Sequence, residues 1–263
     1  MEIVNPAFDN FFTAKHIAEP IVSVTKNDLE KIDHFFNNRN FDVLAFREKD
    51  SIIGYIEKQQ FTFDNWTDYI HKFDIKDLVS VNTPLFECIQ LLKKQDRLFI
   101  IDRSSIIAII TTSDLEKPAV RMLFYGLITS FESSVALLIK KLYPNDTWKN
   151  CLNEGRVKKA QEEYNKLMEK NRENDLLDCT QFCDKTDILL NDNNHLDEYI
   201  DLSKTKATKL FRDSRKLRDD LSHAQPLYNT WFELGDIFYI AENLHHILDR
   251  IKQENSDDNS YYY

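Results

Sequence analysis

The chain has 263 residues and carries 34 lysines and arginines against 44 aspartates and glutamates, a formal charge of −10. That length allows one large domain or two ordinary ones, and 42% hydrophobic residues with 12% aromatics are enough for a real core, which excludes a disordered chain. An acidic chain does not hold nucleic acid indiscriminately, so any such contact needs a local basic patch. The four glycines, Gly54, Gly126, Gly155 and Gly235, stand far apart, which removes the P-loop and the G-x-G-x-x-G turn. Cys88, Cys151, Cys179 and Cys183 form no C-x-x-C pair and no zinc framework. Asn5, Asp9 and Asn10 interrupt the apolar core of a signal peptide, and Arg121 and Glu132 interrupt the most apolar stretch, Ala119 to Ile139. The expectation is a cytoplasmic protein with reduced thiols, no membrane partner and no metal.

Residues 1–117 alternate short strands and helices and contain an internal repeat at a constant offset of 54. FDVLAFREKDSIIGYIEKQQ, Phe41 to Gln60, lies over QDRLFIIDRSSIIAIITTSD, Gln95 to Asp114. Asp42 falls on Asp96, Leu44 on Leu98, and Ile52-Ile53-Gly54 on Ile106-Ile107-Ala108. A helical stretch precedes each copy, Asp28 to Asn37 and Leu85 to Lys94, the second opened by Thr83-Pro84. Phe61 to Asp74, with Trp66, is the least regular part. Such a repeat predicts two similar units packed together, each too small to bury its own apolar face.

After Pro118 the β-branched runs vanish and helical spacing takes over, in Val120 to Leu142, Gly155 to Asn171, Leu176 to Leu190, Ser203 to Ser222 and Thr230 to Ile251. In the last of these, Trp231, Leu234, Phe238, Ala241, Leu244, Leu248 and Ile251 keep one apolar stripe. Pro118, Pro144 and Pro226 sit between segments. This gives a helical domain over 118–253 and a flexible tail over 254–263.

VNTPLFECIQLLKKQD followed by RLFIIDRSSIIAIITTSDL resembles one CBS module, and VTKNDLEKIDHFFNNRNFDVLAFREKDSIIGYIEKQQF its partner, over about Pro20 to Leu115. The resemblance implies a tandem pair of β-α-β-β-α modules whose cleft takes an adenosine-containing regulator such as AMP, ADP or ATP. Thr111 and Asp114 occupy the family's T-x-x-D positions, which implies that they hold the ribose and neighbouring oxygens. An aspartate opening a helix caps its amides and also accepts from hydroxyls, and the helix N-terminus attracts phosphate without a glycine loop. Glu57 and Gln60 replace this pair in the first copy, so one site is expected rather than two. T-x-x-D is equally an ordinary N-cap, and CBS pairs that only dimerise are the alternative.

In the second half, Lys204 to Arg218 carries seven cations against Asp213 alone. Lys209, Arg212, Arg215 and Lys216 share a face at helical spacing and are the candidate RNA contacts. Arg218 and His223 then give Arg-x4-His with Asp219 after the arginine. This resembles the R-polar-x3-H motif of HEPN domains, helical bundles that often act as metal-independent ribonucleases, over roughly Ala119 to Ile251; LLDCTQFCDK, Leu176 to Lys185, is also similar to archaeal and bacterial members. The tyrosine that some toxin–antitoxin members carry two residues past the histidine is Gln225 here, which argues against control by tyrosine modification.

The residue types suit the chemistry. Histidine exchanges protons near neutral pH, and the arginine fork stabilises phosphorane oxygens without losing its charge. Five residues at 100° each set Arg218 and His223 about 140° apart on one helix, so a single phosphate is reached more readily by a pair of subunits. The resemblance implies such an obligate homodimer with the cleft at its interface and Asp219 orienting Arg218 or His223. His245 and His246 diverge on a helix and form no metal site. Together the halves predict a nucleotide-regulated, metal-independent endoribonuclease that needs no catalytic cofactor. The alternative is a non-enzymatic nucleotide-responsive dimer that binds RNA or a protein.

Overall fold

A computed structural model describes residues 11–170, 172, 174–223 and 237–258. Strands β1 (Glu19–Pro20) and β2 (Ser23–Val24) precede helix α1 (Leu29–Asp33), which runs on as a wider π turn, His34–Asn38. Strands β3 (Val43–Glu48) and β4 (Ser51–Glu57) form a hairpin. Strand β5 (Leu78–Ser80), helix α2 (Leu85–Leu92) and the hairpin of β6 (Arg97–Asp102) and β7 (Ser105–Thr111) repeat the order.

The duplication is structural down to its irregularities. Both hairpins start and end 54 residues apart. The register shifts between Phe46 and Arg47 in one and between Ile100 and Ile101 in the other. Each reverses through a left-handed residue, Lys49 at φ 53° and Arg103 at φ 54°, a conformation that costs a side chain energy unless the turn requires it. β2 and β5 lie parallel to the first strand of their own hairpin, across α1 and α2. β1 pairs with β7 and so adds the chain's start to the second copy's sheet, giving the orders β1-β7-β6-β5 and β2-β3-β4.

Each repeat unit lacks the closing α-helix expected of it. After β4, residues 61–74 hold only a 3-10 turn, Trp66–Tyr69, and Trp66 plugs the core of Val24, Ile32, Phe36, Leu44 and Ile56 in place of a helix. Its ring meets Phe46 edge-on at 5.8 Å. After β7 comes a five-residue 3-10 turn, Thr112–Glu116. It stops there because Lys117 is extended, at φ −66° and ψ 150°, the conformation that the ring of Pro118 imposes on its predecessor.

Helix α3 (Pro118–Leu142) opens the helical part, followed by a 3-10 stretch, Pro144–Cys151, and by α4 (Glu154–Met168), whose first turn is capped by Asn153 on the Arg156 N–H at 3.1 Å. The helix expected over Leu176 to Leu190 is broken: a 3-10 turn, Leu176–Cys179, leads through extended Thr180 and Gln181 into α5 (Phe182–Leu189), where Gln181 and Asp184 form a capping box. Beyond an irregular turn over 193–200 lie α6 (Lys204–Ser222) and α7 (Ile237–Asp258). The expected start of the last helix, 230–236, as well as Pro226, Gln225 and Asn171, lie outside the described residues. Helix α7 continues through residues expected in the tail as far as Asp258.

Phe131 of α3 packs on Phe182 of α5 at 6.1 Å and on Phe211 of α6 at 5.6 Å. Ala207, Leu210, Ser214, Leu217 and Leu221 form the buried stripe of α6. Among the described residues α3 is the one helix long and apolar enough to cross a membrane, and half of its most apolar stretch is buried inside the fold. One compact unit ends at Val120 and the other resumes at Arg121.

Gly54 marks a close approach. Tyr55 bridges His71, and a Cβ on Gly54 would stand 2.8 Å from Ile70 Cγ2 and nearer still to the His71 carbonyl oxygen. The second copy carries Ala108 at the matching position. Gly54→Ala is expected to lower stability by about 1–3 kcal/mol in urea unfolding, the usual cost of forcing one methyl into a packed contact.

Candidate functional site

Asp114 opens the turn after β7 and is buried. Its Oδ2 accepts from the Thr111 amide at 2.7 Å and hydroxyl at 3.1 Å, and its Oδ1 pairs with Lys117 at 2.9 Å. Thr111 and Asp114 therefore form a capping box of their own. Lys117 also donates to the Ile17 carbonyl and pairs with Glu19. Burial draws its pKa down, but the bonds to Glu19 and Asp114 outweigh that and raise it. The α-helix whose N-terminus was expected to attract phosphate is absent here, since a five-residue 3-10 turn sums few peptide dipoles.

A more open feature lies beside this turn. A cleft of about 560 Å³ is lined by Tyr55, Lys76, Asp77, Lys94, Arg97 and Phe99, among others. Arg97 stands directly across the β6–β7 ladder from Thr111, so their side chains share a face. Its guanidinium pairs with Glu57 at 2.9 Å and lies 5.8 Å from the centre of the Tyr55 ring. Tyr55 also stacks on His71 at 5.2 Å and meets Phe99 at 4.8 Å. Burial is the main cause that raises the Tyr55 pKa. The lining combines aromatic rings with Lys76, Lys94 and Arg97 and with the acids Asp77 and Asp96, so it offers a flat ring a stacking surface and an anion a counter-charge. Of these residues the sequence pattern singles out Thr111, Asp114 and, as the diverged counterpart of Thr111, Glu57.

In the helical unit, α6 displays Lys209, Arg212, Arg215 and Lys216 to solvent while its apolar stripe is buried. Lys209 and Arg212 each pair with the buried Asp213 at 3.3 Å, and Arg215 lies 3.9 Å from Asp219. Arg218 is the inward member, its side chain 27% exposed. It binds Asp219 through Nε at 3.3 Å and Nη2 at 3.0 Å, reaches Glu132 of α3 at 3.5 Å, and lies 5.5 Å from the centre of the Phe182 ring. The same Glu132 takes the buried Lys185 at 2.9 Å, and Lys185 donates also to the Thr180 carbonyl at 3.0 Å. His223 is the exposed C-cap of α6, its amide donating to the Asp219 carbonyl at 3.1 Å.

The helix is continuous from Lys204 to Ser222, so Arg218 and His223 leave it about 140° apart. Asp219 is in contact with Arg218, and no hydrogen bond joins Arg218 to His223 among the described residues. No group of three or more His, Cys, Asp or Glu suited to a metal ion occurs among the described residues. His245 is buried, its pKa pushed down to about 4 by that burial and by Lys252, whereas His246 faces Asp201 at 3.6 Å.

No protein-family model matches the chain, and no curated protein matches it. Solved structures that are similar include a protein assigned to acetoin utilization (AcuB) from Vibrio cholerae, 13% identical, covering 43% of this chain and 93% of that one at a TM-score of 0.37. A CBS domain-containing protein from Thermotoga maritima is 12% identical over 40% of this chain and 91% of its own, at 0.32. The CBS domain pair of protein MJ0100, in complex with 5′-methylthioadenosine and S-adenosyl-L-methionine, is 14% identical over 40% of this chain and 92% of its own, at 0.34. The duplicated hairpins and their strand order give the N-terminal part a CBS-like α/β fold, and the rest of the chain is helical.

Removing one partner of a buried ion pair leaves an uncompensated charge and costs about 3–5 kcal/mol. Glu132→Ala, which strands Lys185, is expected to lose about that much in thermal or urea unfolding. The double variant Glu132→Met with Lys185→Met is expected to recover most of it, because matched apolar side chains replace the pair.

Proposed function

We propose that the chain is a nucleotide-regulated, metal-independent endoribonuclease of the HEPN kind, active as a homodimer. The observation that carries the reading is the basic helix α6, which leads four exposed cations toward an oriented Arg218 and ends in the exposed imidazole of His223. RNA would lie along Lys209, Arg212, Arg215 and Lys216, which contact phosphates rather than bases. The 2′-hydroxyl oxygen then bonds to the adjacent phosphorus, the P–O5′ bond breaks, and a 2′,3′-cyclic phosphate and a 5′-hydroxyl result. One His223 accepts the 2′-hydroxyl proton, His223 of the partner subunit returns a proton to the 5′ oxygen, and Arg218 stabilises the phosphorane charge. Asp219 and Glu132 fix the guanidinium plane beforehand.

The nucleotide enters at the cleft of Tyr55, Lys76, Lys94 and Arg97, with its base on the aromatic wall and its phosphates on the cations. Thr111 stands across the ladder from Arg97, which lines that cleft, and Asp114 is bonded to Thr111. A ribose engaging Asp114 competes with Lys117, whose next residue begins α3, and this supplies the differential affinity that regulation requires. The Arg218–Glu132–Lys185 network favours a second reading, in which Arg218 is architectural and the dimer grips RNA or a protein without cutting.

Purified chain incubated with single-stranded RNA and EDTA is expected to leave 2′,3′-cyclic phosphate ends. His223→Ala and Arg218→Ala are expected to slow cleavage by about 10²–10⁴-fold while the dimer persists. Intact RNA under every nucleotide tried supports the architectural reading instead. In calorimetry with AMP, ATP, 5′-methylthioadenosine and S-adenosylmethionine, Arg97→Ala and Tyr55→Ala are each expected to weaken binding by about tenfold, the loss of one charge-assisted or stacking contact. Unchanged affinity in both removes the cleft as the receptor.

A further inference from the structure

Helix α3 keeps one side uncovered by the described residues. Met122, Tyr125, Gly126, Thr129, Ser133 and Leu137 project within an arc of about 120°. Met122, Tyr125 and Leu137 are 59%, 44% and 64% exposed, large apolar side chains on the outside of a helix whose opposite side is core. The hydroxyls between them are already satisfied, Thr129 donating to the Tyr125 carbonyl at 2.8 Å and Ser133 to the Thr129 carbonyl at 3.0 Å. Burying this side therefore strands neither of these donors, and the Tyr125 hydroxyl, at the margin of the arc, keeps access to solvent or takes a partner across the interface. From Met122 to Leu137 the one charged residue is Glu132, at the edge of the arc and engaged by Lys185 and Arg218.

We infer that this side of α3 is the interface between two copies of the chain, crossing antiparallel on a two-fold axis between Thr129 and Ser130. The pattern is self-complementary about that axis. Met122 falls opposite Leu137 of the partner subunit, and Gly126 falls opposite the partner's Ser133. Large side chains close the two ends, and small ones at the crossing let the helices approach to the 8–10 Å usual for packed pairs. The one charge near the crossing, Glu132, is already paired with Lys185 and Arg218 of its own subunit. Glu132 lies about 4 Å along the helix from the axis at 1.5 Å per residue. The crossing therefore draws both Glu132–Arg218 pairs toward the two-fold and lets the two subunits complete one another's site. The inference rests on the composite-site reading for its purpose, but its geometry stands on α3 alone.

The test uses the full chain. Light scattering after size exclusion is expected to give twice the chain mass for wild type and a single chain mass for Met122→Glu and Leu137→Glu, with helical circular dichroism unchanged. Thr129→Cys, next to the axis, is expected to give a disulfide-linked dimer on oxidation where wild type gives none. A dimer that survives the Met122→Glu/Leu137→Glu double variant, or a Thr129→Cys chain that never cross-links, overturns the interface. A wild-type chain that is monomeric, alone or on phosphatidylcholine vesicles, overturns it too. RNA assays on the same samples separate the two ideas. If Leu137→Glu dissociates the dimer and wild type never cuts RNA, the interface stands and the nuclease reading fails. If dissociated Leu137→Glu cuts RNA at the wild-type rate, the interface stands and the composite site fails.

Discussion

A single carboxylate organises the helical half. Glu132, the one charge between Met122 and Leu137 of α3, receives Lys185 from α5 and Arg218 from α6, so one side chain ties three helices together by charge. Lys185 is buried and has no tolerable state in the core without that partner. Matched apolar residues would hold the helices as firmly, so the ion network is not needed for stability as such. What it adds is direction: the guanidinium of Arg218 is fixed between Glu132, Asp219 and the face of Phe182. Such a preset fork costs little ordering entropy when a phosphate replaces one of its partners.

The N-terminal half shows how a duplicated frame diverges. Bulges, turns and hairpin ends coincide at an interval of 54 residues, yet the chemistry does not. The position of Arg97 is Val43 in the first copy, and the positions of Thr111 and Asp114 are Glu57 and Gln60. Glu57 then reaches across to pair with Arg97 itself. One copy supplies the cation and the other its counter-ion, and the cleft beside them belongs to the pair rather than to either module. The counterparts of Lys76 and Lys94 are Val22 and Asn40, so the cations of this cleft have no matching set in the first copy.

Much of this was legible in the sequence because the repeat has a fixed interval. Two aligned hairpins constrain strand, turn and register at once, whereas any one short apolar run is ambiguous. Helix ends were less legible. The period through Leu176 to Leu190 is helical, but the backbone breaks at Thr180 and Gln181, where a capping box takes over. The turn after β7 carried an N-cap pattern but not the information that Pro118 would stop it within five residues. Among the site residues, Arg218, Asp219 and His223 stood out by spacing. Glu132 was visible only as an anomaly in an apolar run, and its partners are far away in sequence. Tyr55, Lys76, Lys94 and Arg97 form no motif at all, since they come from strand β4, a 3-10 turn over Ile75–Asp77, the loop after α2 and the start of β6, which only the fold brings to one cleft.

Charge sets a further condition on any RNA contact. The whole chain is at −10, so at long range it repels a polyanion, and no steering field draws RNA in from a distance. At physiological ionic strength that repulsion fades beyond about 8 Å, and the cations nearest the strand dominate what it meets. On α6 those cations are confined to one exposed face, while two of the helix's three acids are paired within it, Asp213 with Lys209 and Arg212 and Asp219 with Arg218. The pairing weakens the face by only a fraction, because exposed ion pairs are worth little and exchange readily for a phosphate. A single such face gives a short footprint. Two faces related by a two-fold would double it and set the register of a strand between them, so for an acidic chain an RNA-binding role would call for dimerisation on grounds of charge alone.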